Sequence, residues 1–263
     1  MLTSIGIALR SRRRGEAFGH IRSGAWRRAW RLVLSAGQPA VAGTGTRRLR
    51  TVADRPRRTR TPVRCDVDLD CHITDIVKLL HFEDLRDVIL VGHSYGGMVI
   101  TGAADRAADR IGHLVYLDAA IPADGQSFVE IAGPLMALAR SDSRIVDGVE
   151  MCMYIDNKTI PCYGVHDPDQ VEWMTARLTP HPWKCFEQPL RLTDEDALTK
   201  IPQSYICTTM FMDVRPIDTL RQKANGRLWE LDTGHDMMIT APEWVAEKLM
   251  LVASLADESL HQT

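Results

Sequence analysis

From residue 66 onward, apolar positions recur with periods that name the elements in turn. Over residues 68–82, Leu69, Ile73, Ile76, Val77 and Leu80 return at three- and four-residue steps, the spacing of one face of a helix. Residues 87–91 are instead an almost unbroken apolar run, which suits a strand covered on both faces in a parallel sheet. The segment Gly92-His93-Ser94-Tyr95-Gly96-Gly97 follows, and residues 98–104 continue as a helix of small side chains that packs closely on a sheet. Residues 113–118 read as the next strand. From about 122 to 192 the alternation of strand and helix breaks in a stretch rich in Met, Trp and Pro. It resumes with strands at 203–208 and 227–231 and a closing helix over 241–255, with Pro242 in its first turn. This pattern predicts an α/β fold: a mostly parallel sheet flanked by helices, a core over 65–263 and a cap inserted at about 122–195. There is no internal repeat, and no apolar run reaches the roughly 18 residues of a membrane span.

Composition changes this picture at one end. The 263 residues are 45% hydrophobic, enough for a sizeable core, and the net charge of −2 gives no reason to expect a nucleic-acid partner. That total hides an asymmetry: residues 1–64 hold 16 Arg, no Lys and only Glu16 and Asp54 as acids. They show no sustained period of two or 3.6 and no secretory apolar core. Base rates favour a disordered basic arm, and the Arg-rich, acid-poor composition also fits a transit peptide. Six cysteines show no C-x-x-C and no metal-like spacing with His. Free thiols in a cytoplasmic protein are the expectation, with a Cys152–Cys162 bridge as an unsupported alternative.

Candidate chemistry begins at Ser94. A buried strand, then G-x-S-x-G, then a helix is the context in which the motif carries meaning. The turn lifts the serine above the sheet, Gly92 and Gly96 leave room for passing backbone, and the Tyr95 N–H at the head of the helix points toward a developing oxyanion. A serine hydroxyl needs a base to remove its proton. His235 in Gly234-His235-Asp236, after the last strand and before the last helix, stands where such a base belongs. His93 is expected to pack into the turn, and His166 and His181 to lie in the cap. Two residues qualify as the acid that orients the histidine. Asp118 ends its strand without slack and is preferred; Asp213 sits several residues past its strand. Asp124 in Pro122-Ala-Asp-Gly125 reads as a turn residue.

Together, residues 91–99 (Val-Gly-His-Ser-Tyr-Gly-Gly-Met-Val), 115–119 (Val-Tyr-Leu-Asp-Ala), 122–126 (Pro-Ala-Asp-Gly-Gln) and 233–236 (Thr-Gly-His-Asp) resemble the plant methylesterase and hydroxynitrile-lyase branch of the α/β-hydrolases, and most of all its bacterial esterase relatives. The likeness covers roughly residues 66–255. It implies a cofactor-free serine hydrolase with no metal, acting on small carboxylic esters through an acyl-enzyme, or a lyase cleaving cyanohydrins on the same scaffold. In plant members the acid follows the later strand; here residues 207–213 (Cys-Thr-Thr-Met-Phe-Met-Asp) fit that pattern only with a gap, so Asp118 and Asp213 both stay open. A lyase would need a cation beside the site, and Lys158, Lys184 and Lys223 are the candidates. Trp173, Trp183 and several Met in the cap suggest a modest hydrophobic or aromatic acyl group, or simply core packing. The expected partner is a small-molecule ester, with no nucleic acid and no membrane; a homodimer is left open.

The family also carries an early strand ending in H-G-x-x-H-G, whose backbone gives the second oxyanion donor. No such motif occurs here. The genetic code suggests why. If residues 20–63 are read one base out of frame, the permitted codons from His20 include I-F-V-L-V-H-G-A-x-H-G-G-W-C, followed by a helix-like and a strand-like segment in the family's order. Trp26-Arg27 and Trp30-Arg31, with the common Arg codons, force the two glycines of H-G-x-x-H-G. Residues 1–64 therefore read as an Arg-rich segment out of frame with the family, with the first strands missing or malformed.

Overall fold

The computed structural model describes residues 5–8, 67–153 and 158–260, and for 5–8, 212–214 and 257–260 it describes the backbone alone. In chain order the elements are β1 (Ile5–Ala8), α1 (Leu69–Phe82), β2 (Val88–His93), α2 (Gly96–Arg106) and β3 (Ile111–Leu117). The β3–β7 connection holds α3 (Phe128–Ala132), α4 (Pro134–Ser141), β4 (Arg144–Val146), β5 (Val149–Cys152), α5 (Pro168–Thr175), β6 (His181–Pro182), α6 (Lys184–Glu187) and α7 (Glu195–Lys200). Then come β7 (Gln203–Thr208), α8 (Ile217–Ala224), β8 (Leu228–Leu231), α9 (Met237–Thr240) and α10 (Pro242–Leu260).

The main sheet has the order β1-β2-β3-β7-β8, with β2, β3, β7 and β8 parallel. β2 is buried along its whole length, as its apolar run requires of an interior parallel strand. On one face lie α1 and α2. The Asp68 carboxylate accepts the Cys71 N–H at 3.0 Å and starts α1, which turns Leu69, Ile73, Ile76 and Leu80 into the core. Helix α2 is buried almost all round, and its one buried carboxylate, Asp105, is satisfied by the N–H groups of Thr193 and Asp194, each at 2.8 Å. On the other face Met237, Met238, Val245, Leu249 and Val252 cover Ile89, Val91, Val115, Leu117 and Ile206. The connection between β3 and β7 also forms a small antiparallel sheet, β4-β5-β6.

One strand was not legible as a period. β1 pairs antiparallel with β2, Ile5 opposite Gly92 and Ala8 opposite Ile89. Four residues are too few for an alternation to stand out, and the open edge of β2 supplies the pairing. The Arg-rich residues 9–66, on which the out-of-frame reading and the missing H-G-x-x-H-G loop bear, lie outside the described residues. Cys152 and Cys162 are both free thiols, so the bridge between them does not form. Among the described residues no helix is long and apolar enough to cross a membrane.

Candidate active site

The turn between β2 and α2 holds Ser94 at φ +55°, a left-handed conformation that costs a residue with a side chain roughly 1–2 kcal/mol. The surroundings enforce it. The Ser94 carbonyl accepts the N–H of Gly97 at 3.1 Å and of Ala120 at 3.0 Å. A Cβ on Gly92 would lie 2.6 Å from the Gly96 carbonyl oxygen, so the turn closes only with glycine at 92. Ser94 is 2% exposed, and its Oγ has no hydrogen-bond partner among the described residues. Tyr95 is the N-cap of α2, at the positive end of that helix.

His235 reaches the same region from the loop after β8. Its N–H donates to the Tyr163 carbonyl at 2.7 Å. Gly234 makes this approach possible: a Cβ there would sit 2.6 Å from that same carbonyl oxygen. The ring of His235 hydrogen-bonds through Nδ1 to Asp118 Oδ2. Asp118, directly after β3 and at φ +46°, is pinned by its own N–H to the Ile206 carbonyl at 2.7 Å and by the Thr208 N–H, which donates to Oδ1 at 3.0 Å. Asp118, one of the two acids the sequence left open, is thus joined to His235. Asp213 lies among the residues described by backbone alone.

A cation that the sequence did not flag completes the cluster. Arg215 forms an ion pair with Asp118 Oδ1. Burial would push the Asp118 carboxyl up, but the hydrogen bond and charge of His235, and then Arg215, outweigh it and hold the group at about 2. Asp118 thus stays ionised at any working pH. Nothing in the periodicity or motifs marked Arg215, since it comes to Asp118 only through the fold of the turn after β7. Of the lysines considered for lyase chemistry, Lys184 pairs instead with Asp68 at 3.4 Å, with its side chain 59% exposed.

His93 packs into the turn, and it also spans the two loops. Its Nε2 lies 3.0 Å from the His235 carbonyl oxygen and 3.9 Å from Asp236 Oδ1. Asp236 is fully buried, and neither carboxyl oxygen has a hydrogen-bond partner among the described residues. Burial pushes its carboxyl up to about 6, against the pull of His235. His166 is exposed, whereas His181 is buried beside His72. Trp183 is buried in the main core with Phe186 at its edge, and Trp173 packs against the cluster around Ile160 and Met174. Both tryptophans serve packing.

Comparison with known proteins follows the same lines. The model of the alpha/beta hydrolase family matches residues 16–248. A carbendazim hydrolyzing esterase of Nocardioides sp. (strain SG-4G) is 34% identical over 194 residues, covering 70% of this chain and 78% of that protein. Among solved structures, a methylesterase, MES16, of Arabidopsis superposes with a TM-score of 0.55 at 25% identity, over 72% of this chain and 78% of the other. An extracellular alpha/beta-hydrolase of a Paenibacillus species gives a TM-score of 0.57 at 23% identity, over 71% and 80%, and shares the fold. The chain belongs to the α/β-hydrolase family, in its methylesterase branch, and is an enzyme of the carboxylesterase type.

Proposed function

We propose that the chain hydrolyses small carboxylic esters by covalent serine catalysis. Ser94 Oγ attacks the acyl carbon while His235 takes its proton. The tetrahedral oxyanion accepts the Tyr95 N–H, and the alcohol leaves with the proton returned by His235. A water, deprotonated by His235, then releases the acid and frees Ser94. Asp118 fixes the imidazole and stabilises its charged form. The observation that carries this reading is the His235–Asp118 hydrogen bond beside the strained Ser94 turn. Arg215, engaged by Asp118, is not a cation offered to a leaving cyanide, which favours hydrolysis over cyanohydrin cleavage.

The test uses the full chain with p-nitrophenyl acetate, carbendazim and a cyanohydrin, together with a fluorophosphonate that labels activated serines. Ester turnover and labelling, both abolished by Ser94→Ala, are expected. Labelling that survives Ser94→Ala, or cyanohydrin cleavage with no ester turnover, would overturn the reading.

A second part of the proposal concerns the other oxyanion donor. If residues 1–64 are out of frame with the family, the chain lacks the H-G-x-x-H-G segment and, with it, the second backbone donor that the resemblance implies. Loss of one such donor costs about 10²–10³ in rate. Family membership and the rate of this chain are therefore separate quantities.

A further inference from the structure

Behind the serine turn, on the α1 side of the sheet, three metal-ligating side chains converge from distant parts of the chain. His72 comes from α1, His181 from β6 and Cys185 from α6, and their ligand atoms all lie within 4.8 Å of one another. The phenol oxygen of Tyr95 is a fourth donor atom at the same place, 3.1 Å from His72 Nδ1. The His181 ring is stacked on Phe186 at 4.5 Å and lies 5.4 Å from the His72 ring. Cys185 is fully buried and His181 is 8% exposed, whereas His72 on α1 is only partly buried.

We propose that His72, His181 and Cys185 bind one borderline-soft divalent cation, Zn²⁺ by donor type, and that the ion fastens the β3–β7 connection to α1. The donor set selects the ion: two imidazoles and a thiol suit zinc, whereas calcium and magnesium take oxygen ligands. The geometry is close to the requirement. Zinc bonds of about 2.0–2.3 Å place tetrahedral ligands roughly 3.3–3.8 Å apart, so a closure of about 1 Å completes the site. Cys185 would release its thiol proton to solvent as the sulfur takes the ion, and the Tyr95 hydroxyl or a water would fill the fourth position. No oxidant or reductant is involved. The sequence gives little sign of this cluster, because His72 stands more than a hundred residues from the other two ligands.

The test is titration of the chelator-treated full chain with Co²⁺, a spectroscopic stand-in for zinc. One Co²⁺ per chain is expected, with a near-ultraviolet thiolate-to-cobalt band, the visible spectrum of four-coordinate cobalt, and bleaching of both by Zn²⁺. Cys185→Ser and His72→Ala should each lose the band and weaken metal binding more than about tenfold, since changes outside the ligand shell alone cost about 10–100-fold. Cys207→Ser, which removes a buried thiol on β7, should keep it. Absence of the band in the native chain, or its survival in Cys185→Ser, overturns the site. If Cys185→Ser does not fold, thermal unfolding decides: Zn²⁺ should raise the midpoint of the native chain by a few degrees and leave that of His72→Ala unmoved. An equal rise in both overturns the proposal. None of these readouts involves ester turnover, so this site and the serine chemistry stand or fall separately.

Discussion

His93, the residue before Ser94, donates from Nε2 to the main-chain carbonyl of His235 at 3.0 Å. The strand that delivers the serine is thereby tied to the loop that delivers the histidine, without passing through either reacting atom. Replacing His93 with Leu leaves a buried carbonyl unpaired, a cost of about 1–3 kcal/mol. The expected outcome is a lower unfolding midpoint and a fall in kcat that exceeds any change in KM, measured on a soluble ester. A fall in stability with kcat intact would assign His93 to packing alone.

Asp118 and Asp213 are separated by a pair of conservative changes. Asp118→Asn should lower kcat on the order of 10⁴-fold, because the imidazole loses the partner that selects its tautomer. Asp213→Asn should leave kcat within a few-fold. Steady-state kinetics on the two variants reads the difference, and equal losses would contradict the assignment.

Removal of Arg215 acts on the same dyad by charge. Arg215→Met leaves the Asp118 carboxylate unopposed, so the charged imidazole is favoured and the acid limb of the kcat/KM profile should move to higher pH. Because the ion pair is buried, the variant should also lose on the order of 3 kcal/mol of stability. An unmoved acid limb would confine Arg215 to a structural role.

The buried Asp236 gives a pH signature of stability. Its folded-state carboxyl is raised to about 6 from an ordinary 3.8. Between those values the folded chain holds a proton that the unfolded chain has released, so this group lowers stability as pH rises through the window, and above 6 the cost is fully present. Asp118 works in the opposite sense, but its folded value of about 2 confines its loss of stability to more acid conditions. Asp236→Asn should therefore gain on the native chain by up to roughly 3 kcal/mol more at pH 8 than at pH 4. Urea unfolding at the two pH values measures this. A difference that does not change with pH would show that the carboxyl is not buried in its charged form.

The out-of-frame reading is checked on the DNA and then on the enzyme. Sequencing across codons 18–68 should reveal a single insertion or deletion near codons 63–66. The chain expressed in the restored frame, now carrying H-G-x-x-H-G, should exceed the original in kcat by about 10²–10³. An unbroken frame with no alternative H-G-x-x-H-G product would dispose of it.

The elements that position Ser94 were legible because each is decided locally. The apolar run before it, the small residues after it and the helical spacing of Leu69 to Leu80 are one-dimensional patterns, and the strands and helices follow them to within a few residues. The preference for Asp118 also rested on local evidence, the absence of slack between its strand and its side chain. Arg215, the bridging role of His93 and the convergence of His72, His181 and Cys185 were not legible, because each depends on contacts between residues far apart in the chain. Asp236 was in plain view beside His235, but its burial could not be read from its neighbours in sequence.

The close approach of Gly234 to Tyr163 has an evolutionary consequence. The segment between β3 and β7, the natural place to vary in search of new substrates, is at this point also the ledge on which the base loop rests. Drift in α3 or α4 leaves that ledge untouched. At Tyr163 and Gly164 it does not, and a change there must be matched in the loop of His235. Diversification of this enzyme is thus held to paired change at this short stretch of the connection.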